Sequence, residues 1–154
     1  MARKYVAVNY DSDTQKNLRD WCDQHGFDLT VSYSGEIKKP EDFVFHTTIF
    51  YTSNDVGDVD AEFPEKMKRK TKAVGFELFG KDKNVPVLIV EKTAGLNLLR
   101  TWYEDLGFQD EWPDWKPHIS ISYAPTLPII EHLSLPTFDL VYDVVHVEDI
   151  KDEV

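Results

Sequence analysis

His46-Thr47-Thr48-Ile49 and His118-Ile119-Ser120-Ile121 decide how this chain is read. Each runs histidine, any residue, hydroxyl, apolar residue, and each lies in a stretch with strand character. Side chains alternate between faces along a strand, so the histidine and the hydroxyl two positions later point the same way. The residues between them anchor a core. Two such segments in 154 residues predict a single site in which two imidazoles face each other.

The sequence around each segment repeats as well. Tyr5-Val-Ala-Val-Asn-Tyr10 reads as a strand, and Ser12 with Gln15 reads as a capping box that opens a helix over roughly residues 13–25. Leu18, Trp21, Cys22 and His25 follow at helical spacing, and Gly26 supplies the stop. In the second half, Val85-Pro-Val-Leu-Ile-Val-Glu91 is an apolar strand. After Gly95, the residues Leu96, Leu99, Trp102, Tyr103 and Leu106 mark a helix that stops at Gly107. Both helices end in tryptophan, four residues, glycine, phenylalanine: Trp21 to Gly26-Phe27 and Trp102 to Gly107-Phe108.

Strand, helix, this ending, loop and histidine strand therefore occur twice. The pattern predicts an α+β fold, with residues 1–154 as one domain of two pseudo-symmetric strand/helix lobes, roughly 1–80 and 81–154. Helices lie outside, a central cleft lies between antiparallel sheets, and both histidine strands are expected to be central. Phe43 to Tyr51 should put Phe43, Phe45, Thr47, Ile49 and Tyr51 on one face and Val44, His46, Thr48 and Phe50 on the other. Ala73 to Phe79 and Leu140 to Val147 are further strands. Asn54 to Lys70 and Gln109 to Pro117 lack periodicity and are candidate flaps over a site.

Composition narrows the function classes. Apolar residues make up 42% and aromatics 13%, enough for a packed core. No apolar run approaches the length of about 18 residues that a membrane span needs, and Met-Ala-Arg-Lys leads straight into a strand rather than a secretion signal. Cys22 is the sole cysteine, which excludes an internal disulfide and a multi-thiolate zinc site and fits a reducing cytoplasm. Formal net charge is −11, whereas proteins that track long nucleic acid carry a basic stripe. Lys66, Lys68, Arg69, Lys70 and Lys72 form the one basic cluster, read as a solvated segment or flap. A small phosphate-bearing ligand in a local pocket fits this balance better than a polymer does.

Paired histidines with paired hydroxyls suit in-line displacement at phosphorus. One imidazole takes a proton from the attacking hydroxyl or water while the other gives one to the leaving oxygen. Thr48 and Ser120 can donate to the non-bridging phosphate oxygens, where charge redistributes in the transition state. An RNA-type 2′-hydroxyl attacking its own phosphate is the natural form of this reaction. Zinc is the competing use of histidine, but no third ligand lies at tight spacing and the residue two positions on is a hydroxyl in both segments. No Gly-x-Ser-x-Gly elbow is present either. No metal and no cofactor are expected.

The paired His-x-[Ser/Thr]-apolar segments in a two-lobed α+β chain resemble the 2H phosphoesterase superfamily. More narrowly, Tyr5-Val-Ala-Val-Asn-Tyr10-Asp, the Phe45-His46-Thr-Thr-Ile block and Pro117-His118-Ile-Ser-Ile-Ser-Tyr123 resemble the phage-encoded anti-CBASS nucleases. The resemblance implies a metal-independent phosphodiesterase that cleaves 3′-5′ bonds of cyclic di- and trinucleotide immune messengers. It implies His46 and His118 as the acid/base pair, Thr48 and Ser120 as phosphate binders, and a linear product ending in a 2′,3′-cyclic phosphate. It also implies action in the cytoplasm, that of the bacterial host if phage-encoded, on a small-molecule substrate rather than long nucleic acid or membrane. The rival readings are a 2′,3′-cyclic phosphodiesterase or 2′-5′ ligase-like enzyme acting on RNA ends, and a non-catalytic protein that sequesters nucleotide.

Several further residues are candidates for substrate binding. Tyr10 ends the first strand, where its ring either stacks on a base or joins the core. Trp112, Trp115 and Lys116 precede His118, and aromatics there either stack on nucleobases or staple the loop. Tyr142, Val144, His146 and Glu148 are read as one face of the last strand, which is either a solvated edge or a border of the cleft on which Tyr142 and Glu148 reach substrate or Glu148 orients a histidine. His25 and His132 read as peripheral, and Phe76 and Glu77 receive no role.

Overall fold

Val6, Ala7 and Val8 are buried, Tyr5 and Asn9 on either side of them only partly so, and Tyr10 is buried again, so the even-numbered face lies on the core and the strand is covered on both faces at its centre. This strand, β1 (Lys4–Tyr10), opens a computed structural model that describes residues 3–31, 36–37, 39–56, 68–80, 83, 85–110, 115–124, 127–128, 130–131 and 133–150. It is followed by α1 (Ser12–Gln24), a short 3₁₀ turn (Pro40–Asp42), β2 (His46–Tyr51), β3 (Arg69–Thr71), β4 (Ala73–Phe79), β5 (Val85–Val90), α2 (Ala94–Asp105), β6 (His118–Ser120) and β7 (Leu140–Asp149). The strands form two antiparallel sheets, ordered β2-β1-β7-β3 and β4-β5-β6.

The repeated helix endings have the same cause. Gly26 and Gly107 adopt φ +76° and +94°, a region that glycine enters without steric cost. Each is followed by a phenylalanine whose N–H reaches back five residues, Phe27 to the Cys22 carbonyl (2.9 Å) and Phe108 to that of Tyr103 (3.1 Å). Gly26 and Gly107 donate to Asp23 and Glu104, completing a Schellman motif in both cases. Phe27 and Phe108 are then buried in the core.

Several expectations are corrected by long-range pairing. Both histidine strands are at sheet edges, β2 in one sheet and β6 in the other, not central. The lobes are not contiguous in sequence: β4 precedes residue 80 yet pairs with β5, and β7 comes last yet lies between β1 and β3. Strand β2 begins only at His46, and the alternation along it breaks at a bulge. Val6 pairs with Phe50 and Ala7 with Thr48, so Ile49 is the extra residue and both Ile49 and Phe50 are buried. Part of the basic cluster, Arg69 and Lys70, is strand β3, paired with β7 rather than a free flap. Lys66, with the rest of residues 57–67 in the candidate flap Asn54–Lys70, and residues 111–114 in the candidate flap Gln109–Pro117, lie outside the described residues.

The N-cap of α1 is Asp11, one residue earlier than Ser12, and its carboxylate accepts from the Thr14 N–H at 2.9 Å. Gln15 is thereby released from capping and does something else. Buried, its amide donates to the Tyr10 and Phe45 carbonyls (3.2 and 2.7 Å) and accepts from the Phe45 N–H (2.8 Å). These bonds tie the segment entering His46 to α1. Replacing Gln15 with Leu strands the Phe45 backbone groups in an apolar setting. The expected result is a loss of about 2–4 kcal/mol in urea unfolding, from a desolvation cost of roughly 1–3 kcal/mol per unsatisfied group.

Candidate functional site

The edge strands β2 and β6 approach within 8 Å between Cα atoms, which brings His46 and Thr48 of one sheet beside His118 and Ser120 of the other. His46 and His118 are near enough to influence each other's protonation. Both rings are held in the same way, by the carbonyl two residues back. His118 Nδ1 lies 2.8 Å from the Lys116 carbonyl, and His46 Nδ1 lies 3.5 Å from that of Val44, a longer and weaker contact. A carbonyl only accepts, so Nδ1 carries the proton in the neutral ring and Nε2 is left free to exchange one.

Each ring also packs edge-on against an aromatic of its own sheet. Tyr5 meets His46 at 6.1 Å between centroids and Phe79 meets His118 at 4.6 Å. Thr48 Oγ1 donates to the Tyr5 hydroxyl at 3.3 Å, whereas the Ser120 hydroxyl makes no hydrogen bond among the described residues. Burial pushes the Tyr5 pKa up to about 12, so this phenol keeps its proton across the neutral range. It can therefore donate to Thr48 Oγ1 when the Thr48 proton turns to a ligand.

Strand register sorts the cleft into rows, because directly opposed residues share a face. The hydroxyl rows are Thr48–Ala7–His146 and Ser120–Val87–Glu77, and the histidine rows are His46–Asn9–Val144 and His118–Ile89–Gly75. Charged groups flank both histidines. His146 Nε2 is 3.4 Å from Glu148 Oε1, and Lys116 Nζ is 2.5 and 2.6 Å from the two Glu77 oxygens. Burial lowers the pKa of both His46 and His118. For His46, the contact with the Val44 carbonyl and the Glu148 charge work against that lowering while His118 and His146 add to it. For His118, the Lys116 carbonyl and Glu77 favour the charged form while the Lys116 ammonium opposes it. Both imidazoles are thus predominantly neutral at pH 7, and an anion between them restores the charged form.

Of the residues anticipated from sequence, His46, Thr48, His118 and Ser120 converge at this seam, with Lys116 and Glu148 beside it. Two do not belong there. Tyr10 is buried, its hydroxyl 2.6 Å from Thr47 Oγ1 on the core side, and Tyr142 is buried against it with ring centroids 6.4 Å apart. A bulge at Asn9/Tyr10 leaves Asp143 unpaired, so Tyr142 turns to the core while Val144, His146 and Glu148 stay on the cleft face. Trp115 donates through Nε1 to the Thr48 carbonyl at 2.9 Å and stitches its loop to β2. Trp112 and His132 lie outside the described residues. His25 lines a groove of about 440 Å³ between α1 and residues 134–138 that contains neither catalytic candidate pair. Tyr5, Asn9, Glu77 and Phe79 were missed. Tyr5 and Asn9 share the odd-numbered face of β1, which was the available signal, whereas Glu77 and Phe79 reach the site only through sheet pairing.

Comparison with known proteins agrees with this architecture. Two solved structures share the fold: E. coli LigT complexed with 3′-AMP, and a phosphoesterase. The first is 16% identical with a TM-score of 0.50 and covers 97% of this chain and 95% of its own; the second is 15% identical, also at 0.50, and covers 98% and 96%. The fold is that of LigT-like 2H phosphoesterases. No curated protein sequence matches the chain. A family described as "Anti-CBASS protein Acb1" matches residues 3–154.

The charges flanking the histidines give a measurable consequence. Glu148→Gln removes a charge that supports the His46 imidazolium, so His46 should titrate at lower pH than in the wild type, with a smaller change at His118. Glu77→Gln should lower the titration of His118, with a smaller change at His46. Histidine NMR titrations check both, and a larger shift of the wrong ring in either variant contradicts the assignment. Binding of sulfate, which does not titrate in this range, should tighten as pH falls toward the depressed histidine pKa values, because binding takes up a proton.

Proposed function

The chain belongs to the anti-CBASS protein Acb1 family, and from that premise we propose that it is a metal-independent phosphodiesterase. It opens 3′-5′ bonds of cyclic di- and trinucleotide messengers in the bacterial cytoplasm and so counters CBASS defence. The observation that supports this most is the meeting of two histidine/hydroxyl pairs at the seam of two sheets, each histidine with Nδ1 occupied and Nε2 free.

With the scissile phosphate at the seam, Thr48 and Ser120 donate to its non-bridging oxygens. One imidazole takes the proton of the adjacent 2′-hydroxyl, whose oxygen attacks phosphorus in line. The other, protonated in the presence of the anion, delivers its proton to the departing 5′-oxygen. The ring opens to a linear oligonucleotide ending in a 2′,3′-cyclic phosphate, and no water is consumed in that step. Lys116 supplies positive charge beside His118 in a chain of net charge −11. A small enclosed ligand meets that local field, whereas a long polyanion is repelled along its length. The fold shared with LigT, crystallised with 3′-AMP, is consistent with a nucleotide in the cleft.

The test is product analysis with cyclic dinucleotides, cyclic trinucleotides and 2′,3′-cyclic mononucleotides, with and without EDTA. Wild-type protein should yield linear 2′,3′-cyclic phosphate products, equally in EDTA. His46→Ala and His118→Ala should each lower kcat by about 10²–10⁴-fold, and Thr48→Val or Ser120→Ala by about 10²-fold. Loss of activity in EDTA contradicts the metal-free mechanism, and cleavage only of 2′,3′-cyclic mononucleotides selects the RNA-end reading. Tight binding without product, unchanged by either histidine substitution, selects sequestration. Cleavage of a messenger that lacks the 2′-hydroxyl beside the scissile bond overturns internal attack.

A further inference from the structure

Three consecutive residues, Trp115-Lys116-Pro117, tie together parts of the site that no strand pairing connects. The Pro117 carbonyl accepts from the Val90 N–H of β5 at 3.0 Å. The Lys116 carbonyl holds His118 Nδ1 at 2.8 Å, and the Lys116 ammonium reaches both Glu77 oxygens on β4. Trp115 turns the other way. Its Nε1–H donates to the Thr48 carbonyl of β2, in the opposite sheet, at 2.9 Å. One peptide unit, about 3.8 Å between Cα atoms, therefore separates the residue that grips Thr48 from the residue whose carbonyl orients His118.

Thr48 is placed where such a grip matters. Strand β2 is an edge strand paired only with β1, and its ladder is interrupted at this point, where Ile49 is the extra residue of the bulge. The consecutive carbonyls of Thr48 and Ile49 are both met by side chains, Trp115 and Arg100. The indole is itself held. The Arg100 guanidinium lies 5.1 Å and the Lys92 ammonium 5.8 Å from its ring centre, and the ring packs against the core. Its N–H and its ring are thus both engaged within the protein, which argues for positioning over stacking on a ligand.

We propose that Trp115 is a positioning residue. Its indole N–H fixes the distance between the Thr48 hydroxyl on one sheet and the His118 ring on the other, so that both meet a single phosphate, and the indole itself does not touch the substrate. The proposal rests on the reading that Thr48 and His118 act on one phosphate. A misplacement on the order of 1 Å can cost roughly 10²-fold in rate, and a bond across the seam controls displacements of that size. Ground-state affinity comes from the whole ligand, whereas alignment at phosphorus counts most in the transition state. The loss therefore falls on kcat rather than on KM.

Replacing Trp115 with benzothienylalanine keeps the bicyclic shape and deletes only the N–H donor, while Trp115→Phe deletes the donor together with one ring. With a cyclic dinucleotide as substrate, each replacement should lower kcat by about tenfold or more and leave KM within about threefold of the wild type. Both are measured where circular dichroism shows the variant folded. In a Thr48→Val background the same replacement should cost less than about threefold, because the hydroxyl it positions is gone. A rise in KM at unchanged kcat makes Trp115 a ligand contact and overturns the proposal. Unchanged kinetics, or full additivity with Thr48→Val, overturn it as well. If the wild type cleaves no cyclic dinucleotide, the function proposed above fails, and the positioning is still decided without turnover. The nitrogen NMR shifts of the His118 ring report how firmly its proton is held on Nδ1. They should move in the benzothienylalanine protein while those of His25 stay as in the wild type, and an unmoved His118 overturns the proposal.

Discussion

The position of His46 and Thr48 depends on one buried cation. The Arg100 guanidinium, carried by α2, donates to the Ile49 carbonyl and to the Asp110 carboxylate and lies 3.8 Å above the Phe50 ring. Ile49 is the extra residue of the β2 bulge, so its carbonyl is in a stretch of strand where regular pairing with β1 is interrupted. Arg100 thus supplies at the bulge a partner from the opposite lobe. Asp110 neutralises the charge, with side-chain exposures of only 10% and 5% for the pair, and Trp115 lies 5.1 Å away on its path to the Thr48 carbonyl. Removing either ion of such a pair leaves the other buried and uncompensated, at roughly 3–5 kcal/mol. Helix α2 therefore does more than cover its own sheet: it fixes the phase of the strand that carries His46 and Thr48.

Around that fixed strand the two halves of the site follow one plan with different fillings. Each histidine leans on the carbonyl two residues back and meets one aromatic edge. The supporting groups diverge: a tyrosine that also touches Thr48 on one side, a phenylalanine on the other, and His146 with Glu148 against Lys116 with Glu77. Two histidines in non-identical fields can hold different protonation states at the same pH, as the proposed acid and base require.

What could be read from the sequence was what short stretches of chain determine. The Trp-x4-Gly-Phe endings became two Schellman caps because the i to i−5 bond and the left-handed glycine are local. The histidine and hydroxyl of each segment share a face because a period of two is local as well. The insertion of β7 between β1 and β3 depends on pairing across more than half the chain, as Lys4 with Asp149, and the edge positions of β2 and β6 depend on which strands take the other places in each sheet, neither of which leaves a trace in a window of ten residues. Tyr142 leaves the cleft face for a related reason: Asp143 is the extra residue of a bulge opposite Asn9 and Tyr10, which reverses the side that β7 presents. Nothing in Val141-Tyr142-Asp143-Val144 announces it, whereas Tyr10 continues the buried face of Val6 and Val8. Gln15 resembled a cap because Ser12 lies three residues before it, yet Asp11 was the stronger acceptor and freed Gln15 for the interior.

The seam itself has a further consequence. The strands β2 and β6 belong to separate sheets, so the cleft is spanned chiefly by side chains, Arg100 to Ile49 and Trp115 to Thr48, with a backbone bond from the Ser53 N–H to the Gln109 carbonyl beyond the end of β2, and not by a continuous ladder of peptide bonds. Peptide ladders are quantised: a strand pair shifts by whole residues or not at all. A gap spanned by side chains can instead be adjusted by fractions of an ångström through single replacements, with both sheets left intact. Such an architecture allows the opening to be retuned while the two histidine strands keep their own pairing unchanged.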